Sequence, residues 1–472
     1  MKVNSEIRKQ IGKWLEENEQ DMLNDLSKLI AVNSVRTEEK NGKPYGEESY
    51  QVLMVAKDML EKRGFPVENF ENMVITSDYG PDPPILGILA HLDIVDAGDG
   101  WDTDPFKMEL KDGKLYGRGV IDNKGPAVAS MYAVYCVSEL FPKLISGVRL
   151  IFGAGEETGC NDVKAYLKKN APPPNVFSPD ATFPVVNVEK GRFFQVFSAS
   201  WAESTELPRV LSIKGGTTPN IVPNKSEALI EGFDLSKVTE FCSEYSKLTG
   251  TKLIASQEGE SIKITSSGVA AHAAVPQNGV NAQTALIKML ADMPFAESKG
   301  QSFIRALSKL VPHGDCRGEA LGMKYSDDVS GDLTLNFGVV EFTRTGVKGN
   351  FDSRTPHCAD DINLEAMAKE KFVNEGFSID LSDRVYSHVT PEDMPFVKTL
   401  LKVYEEATGE KGFCESMGGG TYVHGIPGGV AFGCSMPGAS HNVHGPNEFF
   451  EKDQLIRCAG MFAEVILEMC AE

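Results

Sequence analysis

Apolar residues in the first 180 positions recur with two different spacings. Over residues 4–31 and 49–64 they fall three and four positions apart, which places them on one face of an α-helix. Uninterrupted apolar runs at residues 85–91 and 148–153 are typical of strands buried on both faces. Other segments continue the alternation, with strands at 73–77 and 176–177 and helices at 126–140 and 161–169. The pattern predicts an α/β domain with a mostly parallel central sheet flanked by helices.

The pattern changes near residue 190, where the strands begin to alternate apolar and polar positions. Residues 224–266 and 348–389 show the same order of features: a strand, an aspartate, a helix and a second strand. We therefore expect residues 190–387 to form an inserted α+β domain made of two related halves. Within the insertion, residues 294–333 show a less regular pattern than the rest.

Helical spacing returns after the insertion, at residues 395–407 and 451–471. The end of the chain thus shows the same α/β pattern as its first part. We expect the first domain to be discontinuous, with residues 1–189 and 388–472 on either side of the insertion.

Several residues of the types that bind metals lie directly after predicted strands. His91 ends the strand at 85–91, and Asp93, two positions on, points to the same side. Open α/β sheets bind ligands at the carboxyl ends of their strands. Further residues of this kind are Asp122, Glu156, Glu157, Asp180 and His444. Each alone also fits a helix cap, a turn or a solvated side chain, but their joint occurrence favours a metal site at one sheet edge.

The residue types suit a pair of divalent ions. Two imidazoles and three carboxylates without a thiolate are typical ligands of zinc, manganese or cobalt. Three ligand carboxylates and one hydroxide would balance two divalent cations, as a buried site requires. Glu156 is then left over beside the ligand Glu157, where a free carboxylate can act as a general base.

Composition narrows the possible partners. The 472 residues carry a formal net charge of -20 at pH 7, which argues against binding nucleic acid because phosphates attract Lys and Arg. No apolar run approaches the ~20 residues of a membrane span, and residues 1–20 lack the apolar segment of a signal peptide. The nine cysteines contain no C-x-x-C pair, which fits free thiols in a reducing compartment. We expect a cytoplasmic protein.

Five segments together resemble the metal motifs of the di-zinc superfamily of aminoacylases, acetylornithine deacetylases and carboxypeptidases. They are His91-x-Asp93, Gly117-Arg118-Gly119-x-x-Asp122-x-Lys124-Gly125, Gly155-Glu156-Glu157-x-Gly159, Ser178-Pro179-Asp180 and His444-Gly445-Pro446-Asn447-Glu448. Within the superfamily the chain resembles the PepV-type bacterial dipeptidases, and the resemblance covers nearly its whole length.

The resemblance implies a role for each candidate ligand. Asp122 would bridge the two metal ions. His91 and Asp180 would bind the first ion, and Glu157 and His444 would bind the second. Zinc would be the first choice of metal, with manganese or cobalt as alternatives.

The same resemblance implies roles for residues around the ligands. Glu156 would be the general base, and Asp93 would orient His91. The peptide bond between Asp122 and Asn123 would be cis. Asn123 stands where close relatives often have a second aspartate.

The insertion corresponds to the lid domain of that superfamily. His272 matches the lid histidine that stabilises the oxyanion. Asn220 and Arg354 match positions that bind the terminal carboxylate of the substrate, for which the guanidinium fork is well suited. Without the resemblance, His272 reads as a surface histidine and Arg354 as the partner of Asp352 in a surface pair.

A glycine-rich segment completes the implied substrate site. It contains Gly419, Gly420 and Thr421, and it resembles the segment that approaches the substrate carboxylate through backbone N–H groups. In related dimers the lid histidine comes from a partner subunit. The doubled lid of this chain would replace that partner, which predicts a monomer.

The sequence therefore predicts a metal-dependent dipeptidase that acts on small, unblocked peptides. A hydroxide held between two metal ions would attack the peptide bond while Glu156 acts as the base. The alternative within the enzyme class is an N-acyl amino acid deacylase with the same metal site. A binding protein without catalytic activity is the alternative from another class, and the complete ligand set argues against it.

Overall fold

The computed structural model describes residues 2–381 and 384–472. The chain forms two compact units. The first unit comprises Met1–Val188, Val389–Glu415 and Gly420–Glu472, and the second comprises Glu189–His388 and Ser416–Gly419. The sequence analysis assigned catalysis to residues 1–189 and 388–472, and the role of a lid to residues 190–387. Both roles stay predictions.

One short segment is grouped differently from the sequence prediction. Residues 416–419 lie with the second unit, whereas the sequence analysis placed all of 388–472 in the first domain. The backbone N–H of Lys190 donates to the carbonyl of Met417 at 2.9 Å. Arg354 Nη1 donates to the carbonyl of Gly418 at 2.6 Å. These hydrogen bonds attach the segment to the second unit.

The described residues form eleven α-helices. Their bounds are α1 Ser5–Glu17, α2 Glu19–Ile30, α3 Glu47–Lys62, α4 Lys124–Leu140, α5 Asn161–Leu167, α6 Leu235–Thr249, α7 Ala282–Asp292, α8 Lys299–Leu310, α9 Leu364–Asn374, α10 Pro395–Thr408 and α11 Lys452–Cys470. None of these helices meets the length and hydropathy that a membrane span needs.

The same part of the chain forms twenty-four strands, many of them short. Their bounds are β1 Glu68–Phe70, β2 Val74–Tyr79, β3 Pro84–His91, β4 Glu109–Lys111, β5 Lys114–Tyr116, β6 Gly147–Gly153, β7 Asn175–Ser178, β8 Ala181–Thr182, β9 Val185–Glu189, β10 Gly191–Ser200, β11 Arg209–Gly215, β12 Lys225–Glu231, β13 Lys252–Glu258, β14 Ser261–Ser267, β15 Ser326–Asp327, β16 Gly331–Asp332, β17 Thr334–Phe342, β18 Gly346–Thr355, β19 Ser378–Leu381, β20 His388–Val389, β21 Cys414–Met417, β22 Val430–Ala431, β23 Cys434–Ser435 and β24 Phe449–Glu451.

The central sheet of the first unit runs in the order β1-β2-β6-β3-β7-β22-β9. Its middle strands, β6, β3, β7 and β22, run parallel to one another. Toward one edge, β1 and β2 pair in antiparallel fashion. The mainly parallel sheet between helices confirms the predicted α/β class.

Helix α4 occupies the core of the first unit. It is buried from Lys124 to Val137 and packs against α11, α2 and β3. Its sequence is apolar around the whole circumference, which is typical of a helix enclosed by other elements. The loop that ends at Asp122 leads directly into this helix, so a rigid core element follows the candidate bridging residue.

The second unit contains an antiparallel sheet in the order β13-β14-β12-β11-β17-β18-β10-β19. Helix α6 follows β12 in one half of the sheet, and α9 follows β18 in the other half. This confirms the predicted α+β domain with two related halves. Aromatic and aliphatic side chains from both halves form its core.

Two predictions about helices were wrong in detail. Residues 294–333, expected to be less regular, contain α8, and Ser298 caps that helix by accepting a hydrogen bond from Gln301 N at 3.1 Å. The spacing Ser-x-x-Gln is a capping signature that could have revealed it. The helix expected over residues 4–31 is broken at Asn18, whose side chain donates to the carbonyl of Trp14 at 2.9 Å.

Candidate metal centre and active site

His91 is the last residue of β3, and Asp93 holds its ring at Nδ1. The side chain is buried, with Nδ1 lying 3.0 Å from the carbonyl oxygen of Asp93 and 3.4 Å from Asp93 Oδ1. Both neighbours are acceptors, so Nδ1 donates and Nε2 is directed the other way. Nε2 lies 2.9 Å from Asp122 Oδ1 and 3.5 Å from Asp180 Oδ2.

Asp122 lies between two histidines, with one histidine at each carboxylate oxygen. His91 Nε2 is 2.9 Å from Oδ1, and His444 Nε2 is 2.9 Å from Oδ2. His444 Nε2 is also 3.2 Å from Glu157 Oε1. All five candidate ligands therefore lie in one cluster of the first unit, arranged around Asp122.

Two groups of side chains within this cluster are close enough to share an ion. Ligand atoms of His91, Asp122 and Glu157 lie within 4.8 Å of one another, and so do those of His91, Glu156 and Asp180. Glu156, predicted as the base, is thus within reach of a ligand position. Its assignment as base rather than ligand stays a prediction.

The charges of the cluster fit cations. Burial raises the pKa of Glu156 well above 4.5, and Asp180 and Glu157 add to that effect against the opposing charge of His91. Burial also raises the pKa of Glu157, with a further contribution from Asp122. Crowded, buried carboxylates hold protons unless a cation neutralises them. The donor set of imidazoles and carboxylates fits zinc, manganese or cobalt.

The pKa of His444 is raised and that of Asp122 is lowered, because the two groups pair with each other. Hydrogen bonds to Asp122 and Glu157 raise the pKa of His444 to about 11. Burial alone would raise the pKa of Asp122, but the hydrogen bonds from His444 and His91 outweigh it and hold that pKa well below its ordinary value.

Asp93 supports more of the site than the sequence predicted. Its carboxylate accepts hydrogen bonds from the backbone N–H groups of Glu156 at 3.2 Å and Glu157 at 3.1 Å. It is fully buried and also faces the ring of His91. One carboxylate therefore orients a candidate ligand and fixes the turn that carries both glutamates.

Asn123 supports Asp180 in a similar way. Its side-chain amide donates to Asp180 Oδ1 at 3.1 Å and to the carbonyl of Pro179 at 3.0 Å. An aspartate at this position could not donate these bonds. The peptide bond between Asp122 and Asn123 is cis.

Two buried acidic residues near the site had no predicted role. Glu448, quoted only as the end of a motif, is buried and bonded to the loop that precedes Asp122. Asp162 Oδ2 accepts hydrogen bonds from Ala154 N at 2.9 Å and from Tyr422 Oη at 2.5 Å. Burial raises the pKa of Asp162 to about 6. Tyr422 is 260 positions from Asp162, and Gly119 is 329 positions from Glu448, so no local pattern marks these contacts.

Gly153 at the end of β6 leaves space for that second pair. A Cβ at this position would collide with Tyr422 Oη and Asp162 Oδ2. The Tyr422 ring also lies perpendicular to the ring of His91, with centroids 6.2 Å apart. The pair thus packs against the strand that leads to Glu156 and against a candidate ligand.

Two predicted lid residues lie together in the second unit. Ile221 and His272 form an isolated antiparallel bridge, and Ala273 N donates to the carbonyl of Asn220 at 2.8 Å. The Asn336 amide donates to the carbonyls on both sides of Asn220, at 2.8 and 3.0 Å. His272 is exposed. Their roles toward a substrate stay predictions.

Arg354 is buried and already paired. Its Nε and Nη2 contact the two oxygens of Asp352, at 2.7 and 3.2 Å, and Nη1 donates to the carbonyl of Gly418 at 2.6 Å. The pair with Asp352, weighed above as a surface contact, is therefore an interior one. An Arg side chain has five N–H donors, so two remain for a ligand.

The glycine-rich segment is divided between the units. Gly419 belongs to the second unit, and Gly420 and Thr421 belong to the first. Thr421 is buried, and its carbonyl accepts a hydrogen bond from His424 N at 3.0 Å. A Cβ on Gly419 would lie 2.9 Å from Met417 Cε. The substrate role of these residues stays a prediction.

Comparisons with a family profile and with known sequences agree on the family of this chain. The profile of Peptidase family M20/M25/M40 matches residues 87–468. Putative dipeptidase YtjP of Bacillus subtilis is 32% identical over 461 residues, covering 95% of this chain and 97% of that protein. Beta-Ala-Xaa dipeptidase of Lactobacillus delbrueckii subsp. lactis is 34% identical over 460 residues, covering 95% and 96%.

Solved structures share the fold. Human carnosine dipeptidase 1 matches with a TM-score of 0.60 at 16% identity, covering 98% of each chain. The dipeptidase Dug1p from Saccharomyces cerevisiae matches with a TM-score of 0.61 at 15% identity, also covering 98% of each chain. The profile match and the relatives above 30% identity extend over most of the chain. The chain therefore belongs to Peptidase family M20/M25/M40 and is a hydrolytic enzyme.

Proposed function

We propose that the protein hydrolyses unblocked dipeptides with two divalent metal ions. The observation that carries the proposal is the position of Asp122 between His91 and His444, with Glu157 and Asp180 beside them. The two curated relatives described above are both named dipeptidases, which favours this substrate class over N-acyl amino acids.

The five side chains would share the ions as follows. His91 and Asp180 would hold one ion, Glu157 and His444 the other, and Asp122 both. Zinc is the proposed metal, with manganese and cobalt as alternatives. Bound there, the ions supply an acidified water and polarise the scissile carbonyl.

Glu156 moves the proton in the proposed reaction. Its carboxylate takes a proton from the attacking water and delivers that proton to the amine nitrogen as the C–N bond breaks. Burial, which raises the pKa of Glu156, makes the carboxylate a stronger base for this step. Asp93 holds Glu156 in place through the backbone N–H.

Residues of the second unit are proposed to bind the dipeptide. His272 would stabilise the oxyanion. Arg354 and Asn220 would bind the terminal carboxylate, together with N–H groups of the segment Gly419, Gly420 and Thr421. These roles and the proposed monomeric state rest on the resemblance, whereas the proposed cytoplasmic location rests on the cysteine pattern.

A substrate comparison tests the proposal. The protein is stripped of metal with a chelator, dialysed and reloaded separately with zinc, manganese and cobalt. Hydrolysis of L-leucyl-L-alanine is then compared with that of N-acetyl-L-alanine. We expect cleavage of the dipeptide, with kcat/KM at least about tenfold above that for the N-acetyl compound. The reverse preference would show a deacylase, and metal binding without hydrolysis of either compound would overturn the proposed substrate class.

A further inference from the structure

Glu448 is a buried carboxylate at the end of the loop that carries His444. Its side chain is 0% exposed. Its Oε1 accepts hydrogen bonds from three backbone N–H groups, those of Gly119 at 3.0 Å, Ile121 at 3.2 Å and Asp122 at 3.4 Å. The other oxygen, Oε2, accepts a 2.6 Å hydrogen bond from Arg118 Nη1. All four donors belong to the five residues that end at Asp122.

These bonds add to others that hold the same loop, such as the 2.8 Å hydrogen bond from Arg118 N to the carbonyl of Pro105. Residues 117–122 lie between β5 and α4 and pair with no strand. Gly117 and Gly119 both have positive φ, at 157° and 89°, a conformation that glycine adopts easily and other residues rarely. Such a loop has many accessible conformations, and an anion that gathers three N–H groups selects one of them.

Glu448 also joins the two loops that carry candidate ligands. It lies four positions after His444, and its own carbonyl accepts a hydrogen bond from Gly117 N at 3.2 Å. The next residue, Phe449, begins β24, which pairs with β5 in the register Phe449 to Tyr116. Glu448 thus connects the loop that leads to Asp122 with the loop that follows His444.

We propose that Glu448 is a positioning residue for the metal centre. It holds the carboxylate of Asp122 against the ring of His444, and so it pre-forms the half of the site built on His444 and Glu157. In the other half, Asp93 faces His91 and Asn123 donates to Asp180, and Asp93 also accepts the backbone N–H of Glu157. The inference rests on the proposed two-metal function.

This arrangement predicts an unequal effect on the two ions. Without Glu448 the ion bound by His444 and Glu157 should bind more weakly, and the ion bound by His91 and Asp180 should change less. Substituting residues that orient metal ligands typically lowers affinity about 10–100-fold. A purely structural role would instead reduce stability and leave both affinities nearly unchanged.

The chain offers a matched control in Glu464. This glutamate is also buried and paired with an arginine, Arg8, at 2.9 Å. For both glutamates burial raises the pKa to about 7, with the arginine opposing the shift. Glu464 lies on α11, however, and has no bond to the loops of the metal centre.

The experiment measures zinc binding to the full chain at pH 7.5. Metal-free wild type and the variants Glu448→Ala, Glu448→Gln, Glu464→Ala and Glu464→Gln are titrated against a chromophoric chelator. Urea unfolding of each variant is measured in parallel. Glu448→Ala should weaken the second zinc at least about tenfold, Glu448→Gln less so because an amide oxygen still accepts N–H bonds, and both Glu464 variants less than about twofold.

The outcomes separate this inference from the proposed function. If Glu448→Ala does not fold, the comparison rests on the two glutamine variants. A second zinc ion that binds more weakly to Glu448→Gln than to Glu464→Gln then supports the inference by itself. Equal zinc affinities in Glu448→Gln and Glu464→Gln, with two ions bound to wild type, overturn the inference alone. A wild-type protein that binds no zinc, manganese or cobalt overturns the two-metal function and the inference with it.

Discussion

Asp93 Oδ1 accepts a hydrogen bond of 3.2 Å from the backbone N–H of Glu156. The proposed base is therefore held by its main chain, and its Oε1 is contacted by Cys160 Sγ at 3.8 Å. The second oxygen of Asp93 accepts the N–H of Glu157 at 3.1 Å, and the ring of His91 faces the same carboxylate. A change at Asp93 should therefore affect the base and the ligands together.

Asp93→Asn should lower kcat/KM about 10–100-fold. The new amide must place an N–H group against a backbone N–H of either Glu156 or Glu157, so one of the two hydrogen bonds is lost. The measurement is steady-state hydrolysis of L-leucyl-L-alanine with zinc. Asp96→Asn is the control, since exposed Asp96 accepts a bond from Gly98 N that an asparagine also accepts. Equal activity of the two variants would contradict the role of Asp93.

The adjacent residues Glu156 and Glu157 should respond differently to the same substitution. Glu156→Gln should lower kcat about 10²–10⁴-fold while two zinc ions remain bound. Glu157→Gln should reduce zinc content, because it removes a charged ligand beside His444. Dialysis followed by metal analysis and activity assays measures both effects. If Glu156→Gln loses zinc and Glu157→Gln keeps it, the proposed roles are reversed.

Arg354→Lys should raise KM for L-leucyl-L-alanine about tenfold, since lysine cannot make the planar, forked contact with a carboxylate. Lysine keeps the positive charge beside the buried Asp352, whereas Arg354→Ala would leave that carboxylate unpaired.

The dipeptide amide provides the control for this variant, because it lacks the terminal carboxylate. Its KM should be nearly the same for wild type and Arg354→Lys. A parallel rise in KM for both substrates would mean that the substitution disturbs the site without a direct role in carboxylate binding.

Stability should depend on pH through Glu464. Burial, opposed by Arg8, raises its pKa from 4.5 to about 7, so the folded state binds this proton more tightly than the unfolded state. The resulting stability is fully present below pH 4.5 and is lost as pH rises through 7. From pH 5 to pH 8, Glu464→Gln should gain about 1–3 kcal/mol relative to wild type.

Urea unfolding at the two pH values measures this difference. Glu468→Gln, four residues further along α11, is the control. Although burial opposes it, hydrogen bonds from Lys402 and Val3 lower the pKa of Glu468, so that carboxylate is ionised throughout the range. The Glu468 variant should show a much smaller gain, because its charge is the smallest of the causes that raise the pKa of Glu464. A constant difference between Glu464→Gln and wild type would contradict the raised pKa.

Much of the fold follows from local patterns. Buried strands and amphipathic helices leave period-two and period-3.6 signatures that any folded state must satisfy, so the α/β class and the inserted α+β domain were predicted. The prediction did not include α8, although Ser298 and Gln301 form a capping signature at its start. It also failed at Asn18, where a side chain competes for a helical carbonyl.

The candidate ligands were also accessible from sequence, because each is a metal-binding residue type at a strand end or in the following loop. The sequence did not predict which residues hold these ligands in place. Glu448 and Gly119 are 329 positions apart, and Tyr422 and Asp162 are 260 apart. No periodicity connects such pairs.

By itself the sequence determined the fold class, the candidate ligand types and their places at the ends of strands, because these depend on residue chemistry and short-range spacing. Only the tertiary structure decided that His91 and His444 occupy opposite oxygens of Asp122, and that Asp93 and Glu448 hold the surrounding loops. Hydrogen bonds depend on distances of tenths of an ångström, and those distances exist only after segments far apart in the chain have packed together.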